Sequence, residues 1–140
     1  MKELNAEYGE KVEFLVVYIT EAHALDGASP ISGNGAPIVE EPTTLAERRT
    51  IAHRCDIALG LAPMKVLLDD MDNTAGSAYS GHPDRLYLVD KEGRISYAGD
   101  RGPFGFKPDE LEDAIRVDLK MPAIERKQEE EQPRRRRGGR

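Results

Sequence analysis

Apolar and polar positions come in blocks along this chain, and the blocks differ in period. Val12-Glu13-Phe14-Leu15-Val16-Val17-Tyr18-Ile19 is an almost unbroken apolar, β-branched run, short for a helix and typical of a strand buried on both faces. Just before it, Leu4 and Tyr8 stand four residues apart, as on the last turns of a helix ending near Gly9. Thr44-Leu45-Ala46-Glu47 fits a capping box, in which hydroxyl and carboxylate satisfy the free amides of a helix start. Leu45, Ala52, Cys55 and Leu59 then fall on one helical face, which is predicted to be buried, and Gly60 is placed to cap the C-terminus. Met64 to Asp69 reads as a second strand. Arg85-Leu86-Tyr87-Leu88-Val89 and Arg94-Ile95-Ser96-Tyr97-Ala98 flank Asp90-Lys91-Glu92-Gly93, a hairpin with a glycine-containing turn. Pro108 suits a first helical residue, Asp109 and Glu110 favour that helix end, and Leu111, Ile115 and Leu119 make its buried stripe. The order (α)β–α–β–ββ–α predicts an α/β layered domain.

Between these blocks lie two segments of another kind. Residues 27–42 hold Gly27, Pro30, Gly33, Gly35, Pro37 and Pro42 and read as a long irregular loop, a feature often tied to function in compact domains. From Pro122 the composition turns glutamate-rich and then runs Arg134-Arg135-Arg136-Arg137-Gly138-Gly139-Arg140. Too little apolar surface remains there to offset the entropy of ordering it. The chain therefore divides into a domain over 1–120 and a disordered charged tail over 121–140.

Composition sharpens this picture mainly by exclusion. The 140 residues carry a formal net charge of −6. The last twenty hold seven Lys or Arg against four acids, which leaves the first 120 with thirteen against twenty-two. Four consecutive arginines could touch nucleic acid or an anionic surface, but so acidic a body argues against a nucleic-acid domain, and the tail reads as a solubilising one. No run approaches the ~18 apolar residues of a membrane span. The start, Met1-Lys2-Glu3-Leu4-Asn5, lacks the apolar region of a secretion signal, so the expected compartment is the cytoplasm. A single cysteine excludes an internal disulfide, a CxxC pair and a multi-cysteine zinc site.

Few residues offer chemistry. Cys55 is the obvious nucleophile, yet it falls on the apolar face of its helix and reads as a small hydrophobe of the core. Glu21-Ala22-His23-Ala24-Leu25-Asp26-Gly27 emerges at the C-terminal end of the first strand, where open α/β sheets place their ligands. A histidine there can exchange protons near neutral pH, and a nearby carboxylate can fix its tautomer or raise its pKa. Arg85, after His82-Pro83-Asp84, offers a planar fork for a carboxylate or another anion, or else a surface ion pair. Asp69, Asp70 and Asp72 lack the spacing of a calcium loop, and His23, His53 and His82 lack that of a zinc site, so no metal is expected.

The run Phe14-Leu15-Val16-Val17-Tyr18-Ile19-Thr20 followed by Glu-Ala-His-x-x-Asp-Gly at 21–27 resembles the signature of the iodothyronine deiodinase family, a thioredoxin-fold family with bacterial members. Pro83-Asp84-Arg85-Leu86-Tyr87, Gly93-Arg94-Ile95-Ser96-Tyr97 and Gly102-Pro103-Phe104-Gly105-Phe106-Lys107-Pro108 are similar to its C-terminal half. The resemblance covers residues 4–119. It implies a reductive dehalogenase or related thiol/selenol oxidoreductase, acting on a small molecule with a thiol reductant and needing no further cofactor. It also implies that His23, helped by Glu21, contacts substrate or relays protons. Arg85, Asp26 and Tyr18 are implied as substrate-binding residues.

Two departures qualify that reading. The family places a tryptophan after Asp-Gly where this chain has Ala28, so an aromatic wall for a diaryl hormone is not expected and neither is thyroid hormone as substrate. The resemblance also begins inside the first helix, leaving a thioredoxin-like fold without its first strand and nucleophile loop: a mixed sheet flanked by helices. The absent strand would be central. Its loss is expected to leave two apolar strand edges unpaired, to weaken folding, to favour association of two copies, and to make this exact chain inactive. A selenocysteine codon read as a stop, with restart at Met1, would produce such a chain, and so would a mis-started gene with an upstream cysteine. The rivals are a peroxiredoxin-like peroxide reductase and a non-catalytic thioredoxin-like binding module.

Overall fold

The computed structural model describes residues 1–30 and 38–126. Part of the long loop and the arginine run fall outside them. The element order is α1 (Lys2–Tyr8), β1 (Leu15–Tyr18), α2 (Leu45–Leu59), β2 (Lys65–Leu68), α3 (Thr74–Ala78), β3 (Tyr87–Val89), β4 (Ile95–Ala98) and α4 (Pro108–Asp118). This is a mixed α/β arrangement with two small sheets. β1 and β2 pair in parallel, Leu15 opposite Lys65 and Tyr18 opposite Leu68, while β3 and β4 form the antiparallel hairpin. Among the described residues no further strand extends either pair.

One apolar cluster holds both pairs. Leu4 and Tyr8 of α1, Phe14, Met64, Leu86, Leu88, and Leu111 and Ile115 of α4 are buried together, with Val16, Tyr97 and Leu119 packed at the margin. Burying a large apolar side chain of this kind contributes about 1.5–3 kcal/mol. The polar end of Tyr8 is satisfied as well: its hydroxyl donates to Glu112 (2.8 Å) and accepts from Arg116 (2.9 Å). Arg126, beyond α4, reaches back to Asp113 and Glu112.

Local signals set several boundaries. Thr44 and Glu47 form the full capping box at the start of α2, and Gly60 ends the helix at φ 58°, a left-handed turn that a side chain resists. Pro108 opens α4.

Two expectations about burial need correction. β1 is not buried on both faces: its residues alternate, with Leu15 and Val17 50% and 44% exposed. Leu67 of β2, also exposed, lies opposite Val17, so one face of this pair has no cover among the described residues. Of the stripe on α2, only Ala52 is buried. Leu45 and Leu59 are exposed and Cys55 is only partly covered, whereas the buried residues are Arg48 and Ala52. The inner face of α2 is organised around a buried guanidinium, and a two-stranded sheet is too narrow to cover the rest.

Candidate functional site

The chain leaving β1 turns sharply. Gly27 donates its amide to the Ala24 carbonyl (3.0 Å), and Leu25 pairs with Val39 (2.9 Å), which brings residues 38–41 back beside 20–26. Glu41 is thereby set against the end of β1. One of its oxygens accepts from the Thr20 hydroxyl (3.0 Å) and the other from the Glu21 amide (2.9 Å), while its own amide donates to Asp26 (2.8 Å).

Arg48 anchors this carboxylate from α2. It is 1% exposed and donates to the Asp70 carbonyl (2.5 Å), the Asn73 side-chain oxygen (2.8 Å) and Glu41 (3.3 Å). Its Nε is buried without a partner. The guanidinium thus ties α2, the loop after β2 and the 38–41 segment into one unit.

Tyr18 and Glu21 stand together, with the tyrosine hydroxyl donating to the glutamate carboxylate. Burial first, then the hydrogen bond and negative charge of Glu21, push the phenol well above its ordinary value, so Tyr18 stays protonated. Cys55 is the neighbour of this pair. Its thiol is raised by burial and then by the Glu21 charge, which Arg54 partly opposes, so it is a poor thiolate.

His23 is exposed, and its Nδ1 lies 2.9 Å from the Ser29 carbonyl. A carbonyl can only accept, so Nδ1 carries the proton and the neutral ring keeps its lone pair on Nε2. No hydrogen bond joins His23 to Glu21 among the described residues. Asp26 is held through Glu41. Arg85 stands elsewhere: Nε donates to the Gly99 carbonyl (2.6 Å), one terminal nitrogen reaches Tyr79 (3.4 Å), and the guanidinium lies 5.1 Å from the Tyr87 ring centre.

Asp69 and Asp70 cap the short helix α3. Asp69, buried, accepts from the Ala75 and Gly76 amides (2.9 and 2.7 Å), and Asp70 from Thr74. Sequence reasoning missed Thr20, Glu41 and Arg48. The detectable signal was Arg48 itself, a charge on the same helical face as Leu45, Ala52, Cys55 and Leu59.

The parallel strand pair with a polar network at its C-terminal end makes this an α/β protein with its candidate site at a strand end. Compared with known proteins, residues 1–117 match the iodothyronine deiodinase family. The chain is 33% identical over 112 residues to the thyroxine 5-deiodinase of Ovis aries, covering 77% of this chain and 35% of that protein. It is 36% identical over 107 residues to the thyroxine 5-deiodinase of Sparus aurata, covering 76% and 38%. With the type I iodothyronine deiodinase of Xenopus laevis it shares 35% identity over 105 residues, covering 75% and 39%. The chain belongs to the iodothyronine deiodinase family. It spans between a third and two-fifths of the length of these relatives.

Proposed function

We propose that this chain is the proton- and substrate-handling part of a deiodinase-like oxidoreductase on a thioredoxin-like fold, with the redox cysteine or selenocysteine carried on a strand and loop before α1. The observation that supports this most is the placement of the Glu-Ala-His-x-x-Asp-Gly motif. It leaves the end of β1 in a strand pair whose outer edge is unpaired among the described residues, where one more strand would bring a loop beside it. Cys55 is an unsuitable substitute nucleophile, being partly covered and raised in pKa.

Reductive dehalogenation replaces a carbon–halogen bond by carbon–hydrogen. The halide leaves, two thiol equivalents are oxidised to a disulfide, and the carbon gains a proton. His23, protonated at Nδ1 against Ser29, presents Nε2 for that proton traffic. Tyr18 and Glu21 hold a second proton between them, and Glu41 with Asp26 keeps the Glu21 backbone in place. Arg85 retains one terminal nitrogen without a partner among the described residues, open to an anionic group. The substrate is a small halogenated aromatic rather than thyroid hormone, given Ala28.

The test is iodide release from an iodinated phenol by the protein extended to include the preceding strand, with dithiothreitol as reductant. His23→Ala is expected to lower the rate by about 10²–10⁴. Release unaffected by His23→Ala and Glu21→Gln would remove the roles assigned here. Peroxide turnover without halide release would favour a peroxide reductase instead.

A further inference from the structure

Phe104 is 92% exposed, the most open large apolar side chain among the described residues. The turn that carries it is tightly built all the same. Gly105 donates its amide to the Arg101 carbonyl (2.9 Å), which closes a single helical turn, and Gly102 donates to the Asp84 carbonyl (2.9 Å). A Cβ at Gly102 would run into the Asp84 carboxylate, and one at Gly105 into the Asp100 and Arg101 carbonyls. The exposure of Phe104 is therefore set by packed backbone on either side of it, and not by a loose loop.

The same turn borders a cleft of about 360 Å³ at the end of β1, lined by Ile19, Thr20, Ser77, Ser80 and Arg101 among others. A helical turn advances about 5.4 Å, so the Phe104 backbone stands close to Arg101, a residue of the cleft wall. The cleft itself is short of apolar surface. Ile19 is the one apolar side chain lining it, and residues 19–30, which run on from β1, include no Phe, Tyr or Trp. Sites for small organic molecules are lined mainly by apolar and aromatic side chains. The Phe104 ring is the aromatic surface carried by an element of this wall.

We propose that Phe104 is a specificity residue, its ring stacking on the aromatic ring of a small substrate bound in this cleft. The proposal rests on the reading of the substrate as a small halogenated aromatic, and it supplies the surface that separates such a ring from an aliphatic halide. A cleft of this size holds one ring with its substituents. Offset or edge-on contact between two rings adds to plain burial, and the substrate removes from water a phenyl face that the fold leaves bare.

The chain has no tryptophan, so Phe104→Trp places a single indole on the turn and keeps an aromatic face there. The experiment titrates 4-iodophenol into this variant of the 140-residue chain and follows quenching by the iodine-bearing ring. Val117→Trp, at a 77% exposed position on α4, is the reference for chance collision. Saturable quenching is expected at residue 104 and a linear dependence on concentration at 117. In the ¹⁵N-labelled parent, 4-iodophenol should shift the amides of Thr20 and Gly105 saturably. Phe104→Ala should weaken that binding about tenfold, and Phe104→Leu, which keeps apolar area without a ring, severalfold. Linear quenching at both positions, or equal affinity in the parent and Phe104→Ala, would overturn the proposal. An indole that shifts to the blue with phosphatidylcholine vesicles but does not respond to 4-iodophenol would also overturn it, and make the turn a lipid contact. Binding is read without turnover, so saturable binding with no iodide release from the strand-extended protein would count against the redox reading and leave the role of Phe104 standing.

Discussion

Replacing Arg48 by methionine removes three hydrogen bonds from one buried guanidinium and leaves its stem volume nearly filled. Two of the three are short, to the Asp70 carbonyl and the Asn73 side chain, and Glu41 is the third at 3.3 Å. Hydrogen bonds to a charged group contribute about 1.5–3 kcal/mol each, and breaking a buried ion pair costs about 3–5 kcal/mol. Two effects reduce the loss. The Glu41 side chain is 32% exposed, so water screens that pair, and the substitution removes the unpartnered Nε. A net destabilisation of about 2–4 kcal/mol follows, which for a domain of this size lowers Tm by roughly 10–15 °C. Thermal unfolding followed by circular dichroism, with urea titration beside it, reads the change. Arg48→Lys should recover little, because one ammonium cannot serve three divergent acceptors. A Tm for Arg48→Met within about 3 °C of the parent would refute the assignment of Arg48 as the anchor of this site.

Other outcomes follow from the same geometry. Thr44→Ala breaks the capping box of α2 and should cost about 1 kcal/mol, seen as a Tm lower by a few degrees. Glu47 is held below its ordinary 4.5 by the Thr43 amide and hydroxyl, Asp70 below 3.8 chiefly by the Thr74 amide, and Asp90 below 3.8 chiefly by the Arg94 amide. Folded values below unfolded ones mean stability that is full above the ordinary values and lost as pH falls through the folded ones. Tm should therefore fall as pH drops below about 4.5, and Glu47→Gln should make that fall shallower; an unchanged slope would contradict the Thr43 contact. Cys55 should alkylate with iodoacetamide more slowly at pH 8 than a free cysteine, and faster in Glu21→Gln, as measured by mass spectrometry. Reaction at the free-thiol rate in the parent would show that neither burial nor Glu21 acts on it.

Elements that carry their own boundary chemistry were legible in the sequence. α2 begins at a capping box and ends at a left-handed glycine, and α4 begins at Pro108 with a stripe of Leu111 and Ile115, all of which depend on neighbours within a turn or two. The hairpin follows from its turn in the same way. α3 escaped because Thr74–Ala78 has no apolar period and is held by the side chains of Asp69 and Asp70. The exposure of Leu15 and Val17 escaped because burial of a strand depends on what lies over it, and the run itself reads the same either way. Of the site, the motif at 21–27 was visible, whereas Glu41 and Arg48 join it only through contacts spanning seven to 25 residues.

The central claim is that His23 and its neighbours serve a redox residue carried on a strand before α1. Reading the coding sequence immediately upstream of Met1, in frame and through any UGA, tests it most directly. The account predicts an apolar strand followed by a loop bearing cysteine or an in-frame UGA. An upstream sequence with no such strand, or with the strand but serine or alanine at the loop position, would contradict it and make this a non-catalytic binding domain.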